Sequence, residues 1–319
     1  VLVTRNVPKG TLKELFNVCD VDHHDSNEVI PRQELLFRVR DIDGLINIGT
    51  RVDEELMSNA PNLKIISNHG AGFDRVDIKA ATHWGIIVTN TPDVVTEATA
   101  EITLGLMLTV TRRIAELDRI LRNKVPFRWG PMQMLGFELT GKTLGIIGFG
   151  RIGQAVARRA KAFGMKVIYY QRNPREKLLD EREGVAYKSL EELLAQSDVV
   201  SIHVPLTENT YHLLGNDELH LMKRGAYIVN TARGPVIDEE ALVHALKSGH
   251  LAGAGLDVFE KEPHIHPELL KLENTVLTPH VGTSTLETRT AMIKLAIKNL
   301  LIALEGKRPP NIVNPEVYK

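Results

Sequence analysis

The segment Gly148-Phe149-Gly150-Arg151-Ile152-Gly153 has the spacing GxGxxG. It follows an apolar run, Thr143 to Ile147, and opens an Ala-rich stretch from Gln154 to Phe163, with another apolar run starting at Lys166. In that context the first glycine serves the tight turn, the second lets a pyrophosphate approach the backbone, and the third lets helix and strand pack closely. The phosphates would sit at the helix N-terminus, where free N–H groups and the dipole favour anions. Gly148, Gly150, Arg151, Ile152 and Gly153 are therefore candidate dinucleotide contacts; without a ligand the pattern is only a glycine turn. An NAD site usually carries an acid about 20 residues further on, to bond the ribose 2′-hydroxyl. Here Tyr169-Tyr170 is followed by Gln171 and Arg172. No carboxylate there repels a 2′-phosphate and a guanidinium can pair with one, which points to NADP(H). If Arg172 were only a solvated loop charge, specificity would be mixed.

Three further residues follow predicted strands, where open α/β sheets bind ligands. They are Arg233 in Thr231-Ala232-Arg233-Gly234, Glu262 in the run Phe259 to Pro263, and His280 in Pro279-His280-Val281-Gly282. A guanidinium can hold a carboxylate and polarise a carbonyl. A histidine exchanges protons near neutral pH, and a carboxylate can orient it and favour its charged form. Taken singly, Arg233 could be a surface ion-pair partner, Glu262 a loop carboxylate before proline, and His280 a satisfied buried histidine.

The elements that must position these groups alternate. Short β-branched runs are expected as strands at Val1–Thr4, Gly44–Ile48, Lys64–Ser67 and Ile86–Thr89. A second series is expected at Thr143–Ile147, Lys166–Tyr170, Val199–His203, Tyr227–Asn230, Gly255–Val258 and Thr275–Leu277. Near-continuous apolar strands separated by amphipathic segments predict parallel sheets covered on both faces. The two series resemble each other, as two related α/β domains would. One long helix is expected from Thr96 toward Leu121, and another from Ser284 to Leu304, stopped by Gly306 and Pro309-Pro310.

These stretches, together with Gly70-Ala71-Gly72-Phe73-Asp74 and Thr96-Glu97-Ala98-Thr99-Ala100-Glu101, resemble in order and over nearly the whole chain the D-isomer-specific 2-hydroxyacid dehydrogenases. Trp129-Gly130-Pro131 and Arg172 are most like the glyoxylate/hydroxypyruvate reductase branch. The resemblance implies two Rossmann-like doubly wound parallel-sheet domains, with the cofactor domain (residues 98–284) inserted into a substrate domain (residues 1–97 and 285–319), and cleft closure between them. It makes Arg233, Glu262 and His280 the catalytic trio, with His280 the general acid in NADPH-dependent reduction of small 2-oxo acids. Backbone N–H groups of Ala71 and Gly72 are implied to hold the substrate carboxylate, with Ile48 lining the pocket. Thr96, Pro205, Thr231, Ala232, Asp257 and Gly282 are expected around the cofactor. Trp129 resembles a tryptophan that in some relatives reaches a neighbouring subunit's active site, and a homodimer is implied, with the segment Arg119 to Thr140 as its arm. A 2-ketogluconate reductase and an NAD-linked dehydrogenase are the nearest alternatives. A dinucleotide-sensing corepressor is a further one, although such relatives carry long extensions.

Composition narrows the field. The chain has 319 residues, 43% hydrophobic and 25% charged, which suits two globular domains. With 39 Lys and Arg against 40 Asp and Glu there is no bulk drive toward nucleic acid or acidic membranes. A single cysteine, Cys19, precludes an intrachain disulfide and suits a reducing, cytoplasmic setting. No apolar run is long enough to span a membrane, and no signal peptide is visible. His264 and His266 have no nearby Cys to complete a zinc site, so no metal is expected. His23-His24 among Asp20, Asp22 and Asp25 reads as a solvated turn.

Overall fold

The computed structural model describes residues 1–126, 128 and 130–318, with Lys177 and Leu179 described by backbone alone. In chain order the elements are β1 (Leu2–Val3), α1 (Lys13–Val18), β2 (Asp22–His23), α2 (Arg32–Arg38), β3 (Gly44–Asn47), α3 (Glu54–Ser58), β4 (Ile65–Asn68), α4 (Ile78–His83), β5 (Ile87–Thr89), α5 (Thr96–Thr111) and α6 (Ile114–Arg122). There follow β6 (Thr143–Ile147), α7 (Arg151–Ala162), β7 (Lys166–Tyr170), α8 (Lys177–Glu183), β8 (Val185–Tyr187), α9 (Leu190–Gln196), β9 (Val199–Ile202), α10 (Asn216–Leu221), β10 (Ala226–Asn230), α11 (Glu239–Lys247), β11 (Leu251–Leu256), β12 (Thr275–Leu277) and α12 (Leu286–Leu304). The chain forms two compact units, Val1–Val95 with Thr283–Lys319, and Thr96–Gly282. Both are Rossmann-like parallel α/β structures.

The first unit is a five-stranded sheet in the order β2-β1-β3-β4-β5, parallel throughout. Alternation along each strand sends neighbours to opposite faces. Leu2, Leu45 and Ile66 join the core under α2, α3 and α4. Val3, Ile46 and Ile65 join the core under α12, with Ile293, Ile297 and Leu300. Thr285 caps α12 through the Thr288 N–H at 3.1 Å. The edge strand β2 was not anticipated: Asp22 and His23 pair with Leu2 and Val3, where a solvated turn was expected. Asp22 is held by Arg38, and the His23 ring by the Arg5 carbonyl at 3.1 Å.

The second unit is a seven-stranded parallel sheet in the order β12-β11-β10-β9-β6-β7-β8. The order reverses direction between β6 and β9, which opens a crevice beyond the strands' carboxyl ends. Ile147, Ile168, Val200 and Ile228 pack on one face; Leu144, Ile146, Val167 and Val229 pack on the other. Two expectations need correction here. The helix from Thr96 breaks after Thr111, because the Thr111 carbonyl accepts the Phe137 N–H at 2.8 Å and Arg113 turns left-handed (φ 55°). Strand β11 begins at Leu251 and ends at Leu256, earlier than the expected Gly255–Val258. Its small residues hide a strand because α5 lies hard against them: a Cβ on Gly255 would stand 3.0 Å from the Leu106 Cβ. No helix among the described residues is long and apolar enough to cross a membrane.

Filling that contact is expected to be costly. Gly255→Val should destabilise the protein by roughly 1–3 kcal/mol, the usual penalty of overpacking. Urea unfolding followed by circular dichroism checks this; an unchanged midpoint would show that α5 and β11 are not in tight contact.

Candidate active site

In the second unit the predicted residues collect along the carboxyl edge of the sheet. Gly148 leaves β6 with φ 93°, and a Cβ there would stand 2.6 Å from the His203 carbonyl oxygen. Only glycine fits this position. A Cβ on Gly153 would meet the Gly148 carbonyl oxygen at 2.3 Å, so that glycine lets α7 pack onto the turn. Gly150 differs. It is exposed, adopts an extended backbone (φ −75°, ψ −162°), and a Cβ there would meet nothing within 4 Å. Nothing among the described residues demands a glycine at that point, whereas an incoming pyrophosphate would. Gly150 is also the N-cap of α7, with no side chain capping the helix and no acid in its first turn. The loop therefore fits a dinucleotide's phosphates, with Arg151 exposed and Ile152 half-buried on the first turn.

Beyond β7, the Gln171 side-chain amide donates to the Asn173 carbonyl at 2.6 Å. Arg172 is exposed, and among the described residues no carboxylate lies within 4.0 Å of it. Arg175, by contrast, is taken by both oxygens of Glu183 at 2.8 and 2.9 Å and lies over the Phe149 ring. The Tyr169 hydroxyl, bonded to Asp180 at 2.8 Å, accepts the Arg175 N–H at 3.2 Å and ties this loop down. Beyond β9 lie His203 and exposed Pro205, whose carbonyl accepts the Thr210 hydroxyl at 2.6 Å. Burial pushes the His203 imidazole down to about 3, which keeps it neutral beside the glycine turn. Sequence reasoning passed over His203, although it follows a strand end directly.

The other half of the edge carries the reactive side chains. After β10, the Asn230 side chain bonds the Ala232 N–H at 3.0 Å and the Arg233 carbonyl at 2.9 Å, fixing the loop. The Thr231 hydroxyl meets that of Thr103 on α5 at 2.9 Å, and Thr96 is the first residue of that helix. A Cβ on Gly234 would fall 1.9 Å from the Phe259 carbonyl carbon, so the Arg233 loop rests directly on the loop that carries Glu262. The Glu262 carboxylate accepts the Phe259 N–H at 3.1 Å and meets the His280 Nδ1 at 2.9 Å. His280 sits at φ 55°, uncommon for a residue with a Cβ. Asp257, 1% exposed, holds it there. Its Oδ1 accepts the Thr278 hydroxyl at 2.6 Å and the Val281 N–H at 2.8 Å, and its Oδ2 accepts the Gly282 N–H at 2.8 Å. With Nδ1 tied to Glu262, Nε2 is the nitrogen left for proton exchange. His266 lies instead against Glu240 at 2.7 Å.

In the first unit, Ile48 follows β3 with its N–H bonded to the Thr4 hydroxyl at 2.9 Å. The loop after β4 is held by its carbonyls. The Gly72 oxygen accepts from the Asn68 amide at 2.8 Å, the Ala71 oxygen from the Asn90 amide at 2.8 Å, and the Gly70 oxygen from the Thr91 N–H at 3.0 Å. The N–H groups of Ala71 and Gly72 have no acceptor among the described residues. Paired free N–H groups on a pinned loop suit an anion. Asn68 and Asn90, which make that arrangement, were not singled out from the sequence. Trp129 lies outside the described residues.

A doubly wound sheet with a glycine turn that fits a dinucleotide's phosphates, and a carboxylate–imidazole pair on the same edge, defines a dinucleotide-binding domain of the Rossmann type. Residues 104–282 match the family model described as D-isomer specific 2-hydroxyacid dehydrogenase, NAD binding domain. A glyoxylate reductase from Thermococcus litoralis is 49% identical, over 99% of this chain and 97% of its own length. The NADPH-dependent glyoxylate/hydroxypyruvate reductase of Sinorhizobium meliloti, solved with NADP and malonate, superposes with a TM-score of 0.85 at 34% identity, over 99% of this chain and 96% of its own. A D-lactate dehydrogenase from Aquifex aeolicus, solved with NAD and lactic acid, gives a TM-score of 0.86 at 31% identity, over 98% and 99%. This chain belongs to the D-isomer-specific 2-hydroxyacid dehydrogenase family.

The different duties of two glycines can be separated by experiment. Gly150→Val is expected to leave the thermal midpoint near wild type while weakening dinucleotide binding about tenfold or more. Gly153→Val should lower the midpoint itself. Equal effects of the two substitutions on stability, or full binding by the Gly150 variant, would contradict the assignment.

Proposed function

We propose that this chain reduces small 2-oxo acids, glyoxylate and hydroxypyruvate foremost, to 2-hydroxy acids with NADPH. The observation that carries the reading is the Glu262–His280 pair at 2.9 Å, on the same sheet edge as the glycine turn. The dinucleotide, when bound, supplies the hydride that goes to C2 of the substrate. His280 gives its Nε2 proton to the C2 oxygen. Glu262 accepts from Nδ1, which fixes the ring's orientation and leaves Nε2 for the transfer. Arg233 offers a guanidinium to the substrate carboxylate and to the charge that develops on the C2 oxygen. From the first unit, Ala71 and Gly72 offer N–H groups of the kind a carboxylate needs, and Ile48 an apolar wall. Running in reverse, neutral His280 acts as base.

Preference for NADP(H) rests on Arg172, which no carboxylate among the described residues neutralises, and on the absence of an acid at Gln171. The Sinorhizobium meliloti relative is NADPH-dependent, and its 2-oxo acids are the ones proposed for this chain. A homodimer is proposed as well. The segment Arg119 to Thr140 exposes Leu121, Val125, Met132 and Leu135, apolar surface that a second copy would cover.

Initial rates with glyoxylate and hydroxypyruvate, each with NADPH and with NADH, test the reading. NADPH is expected to be strongly preferred. Arg172→Ala should raise the KM for NADPH about tenfold and leave that for NADH unchanged, the loss expected for one charge-assisted contact of roughly 1.5 kcal/mol. NADH preference in the wild type would overturn the cofactor assignment; no turnover with any pair would overturn the substrate assignment.

A further inference from the structure

The first unit carries a group of cationic and polar side chains that the reaction above does not use. Arg5 follows β1, His69 follows β4, and Arg289 lies in the first turn of α12. Strands β1, β3 and β4 are parallel neighbours, so Arg5 and His69 leave the same carboxyl edge. Both ring nitrogens of His69 and the Nε of Arg5 are closed to solvent and complete no hydrogen bond among the described residues. The carbonyls of Arg289 and of His69 itself stand by the ring without closing one. Arg289 donates to the Ser284 hydroxyl at 3.1 Å. Among the described residues neither Arg5 nor Arg289 has a carboxylate within 4.0 Å.

The charges in this group oppose one another. Arg289 is held below the usual guanidinium range by burial and by Arg5, and Arg5 by burial and by Arg75. Burial and the charge of Arg289 bring the His69 imidazole down to about 4. Buried donors without acceptors and clustered cations without an anion both destabilise a fold. One occupant relieves both: an oxyanion accepts from guanidinium groups and from an imidazole N–H together.

We propose that Arg5, His69 and Arg289 form an oxyanion subsite in the first unit, taking a carboxylate, phosphate or sulfate group. His69 stands two and three residues before Ala71 and Gly72, whose N–H groups suit a substrate carboxylate. Beyond the monocarboxylic acids proposed above, the subsite would then take the distal acid group of a dicarboxylic 2-oxo acid, an assignment that rests on the proposed function; the subsite itself does not. A free inorganic anion is the other source of the same chemistry.

The test uses the dinucleotide-loaded protein, so that the cofactor's phosphate sites are filled. Sulfate is titrated calorimetrically, with sodium chloride at equal ionic strength as control, into wild type, Arg5→Gln and Arg289→Gln. Sulfate should bind the wild type and lose about tenfold or more in affinity in each variant. Without sulfate, both variants should melt at or above the wild-type temperature, because an unmatched charge has gone. Rates with glyoxylate and with oxaloacetate then separate the sources. A selective fall of about tenfold in kcat/KM for oxaloacetate identifies the substrate's tail. Lost sulfate binding with an unchanged ratio between the two substrates identifies a free anion. Wild type that does not bind sulfate, variants that bind it equally, or variants that melt lower without it would overturn the subsite. Sulfate binding is read without turnover, so a protein inactive on glyoxylate would count against the proposed function and leave this site standing.

Discussion

The carboxylate of Asp257 is the contact on which the reactive edge depends. Buried at 1% exposure, it accepts three hydrogen bonds from the segment that turns through His280. That segment would otherwise have to hold a non-glycine residue at φ 55° with nothing to compensate. The three bonds are made in a closed setting, where water does not compete for them. Everything downstream follows from this anchoring. The imidazole arrives at Glu262 at 2.9 Å, and Glu262 is itself steadied by the Phe259 N–H. The Arg233 loop is pressed at Gly234 onto the loop that carries Glu262, where no side chain would fit. A tied Nδ1 leaves a single nitrogen for the proton.

The sheet divides its work at the point where strand order reverses. Strands β6, β7 and β9 end in the glycine turn, Arg172 and His203, which suit a dinucleotide. Strands β10, β11 and β12 end in Arg233, Glu262 and His280, which suit an acid and a carbonyl. Parallel strands place all of these on one edge without any long loop having to reach across. The first unit repeats the device on a smaller scale. Its carboxyl edge carries the pinned loop at Gly70 to Gly72, and the unmatched cations Arg5 and Arg289. In the first unit the Asn68 and Asn90 amides engage the loop carbonyls, which leaves the N–H groups of Ala71 and Gly72 without an acceptor among the described residues.

Much of this was legible in the sequence because the chemistry has local signatures. A glycine turn between an apolar strand and an Ala-rich helix announces itself, and reactive residues just past strand ends stand out against an apolar background. What was hidden depended on tertiary contact. Strand β11 reads as a run of small residues until α5 is seen lying on it. The break at Arg113 arises from a bond between Thr111 and Phe137, distant in sequence. Edge strands β2 and β8 are too short to carry a period. Asn68 and Asn90 look like ordinary loop residues, and only the folded loop shows them freeing the N–H groups of Ala71 and Gly72. Asp257 was expected beside the cofactor, and the structure shows its carboxylate supporting the His280 turn. Half-buried His69 and Arg5 have no signature at all, since the lack of a partner for their nitrogens among the described residues is visible only in three dimensions.

In the proposed reaction Glu262 and His280 act as one acid–base unit. A double-mutant cycle on glyoxylate turnover tests it most directly, using Glu262→Gln, His280→Asn and the combined variant. Residues that work as a unit give losses that do not add. The combined variant should therefore be no slower than His280→Asn alone, with dinucleotide affinity near wild type in all three. Losses in kcat that multiply would show that the two side chains act independently, which would contradict a joint acid–base role.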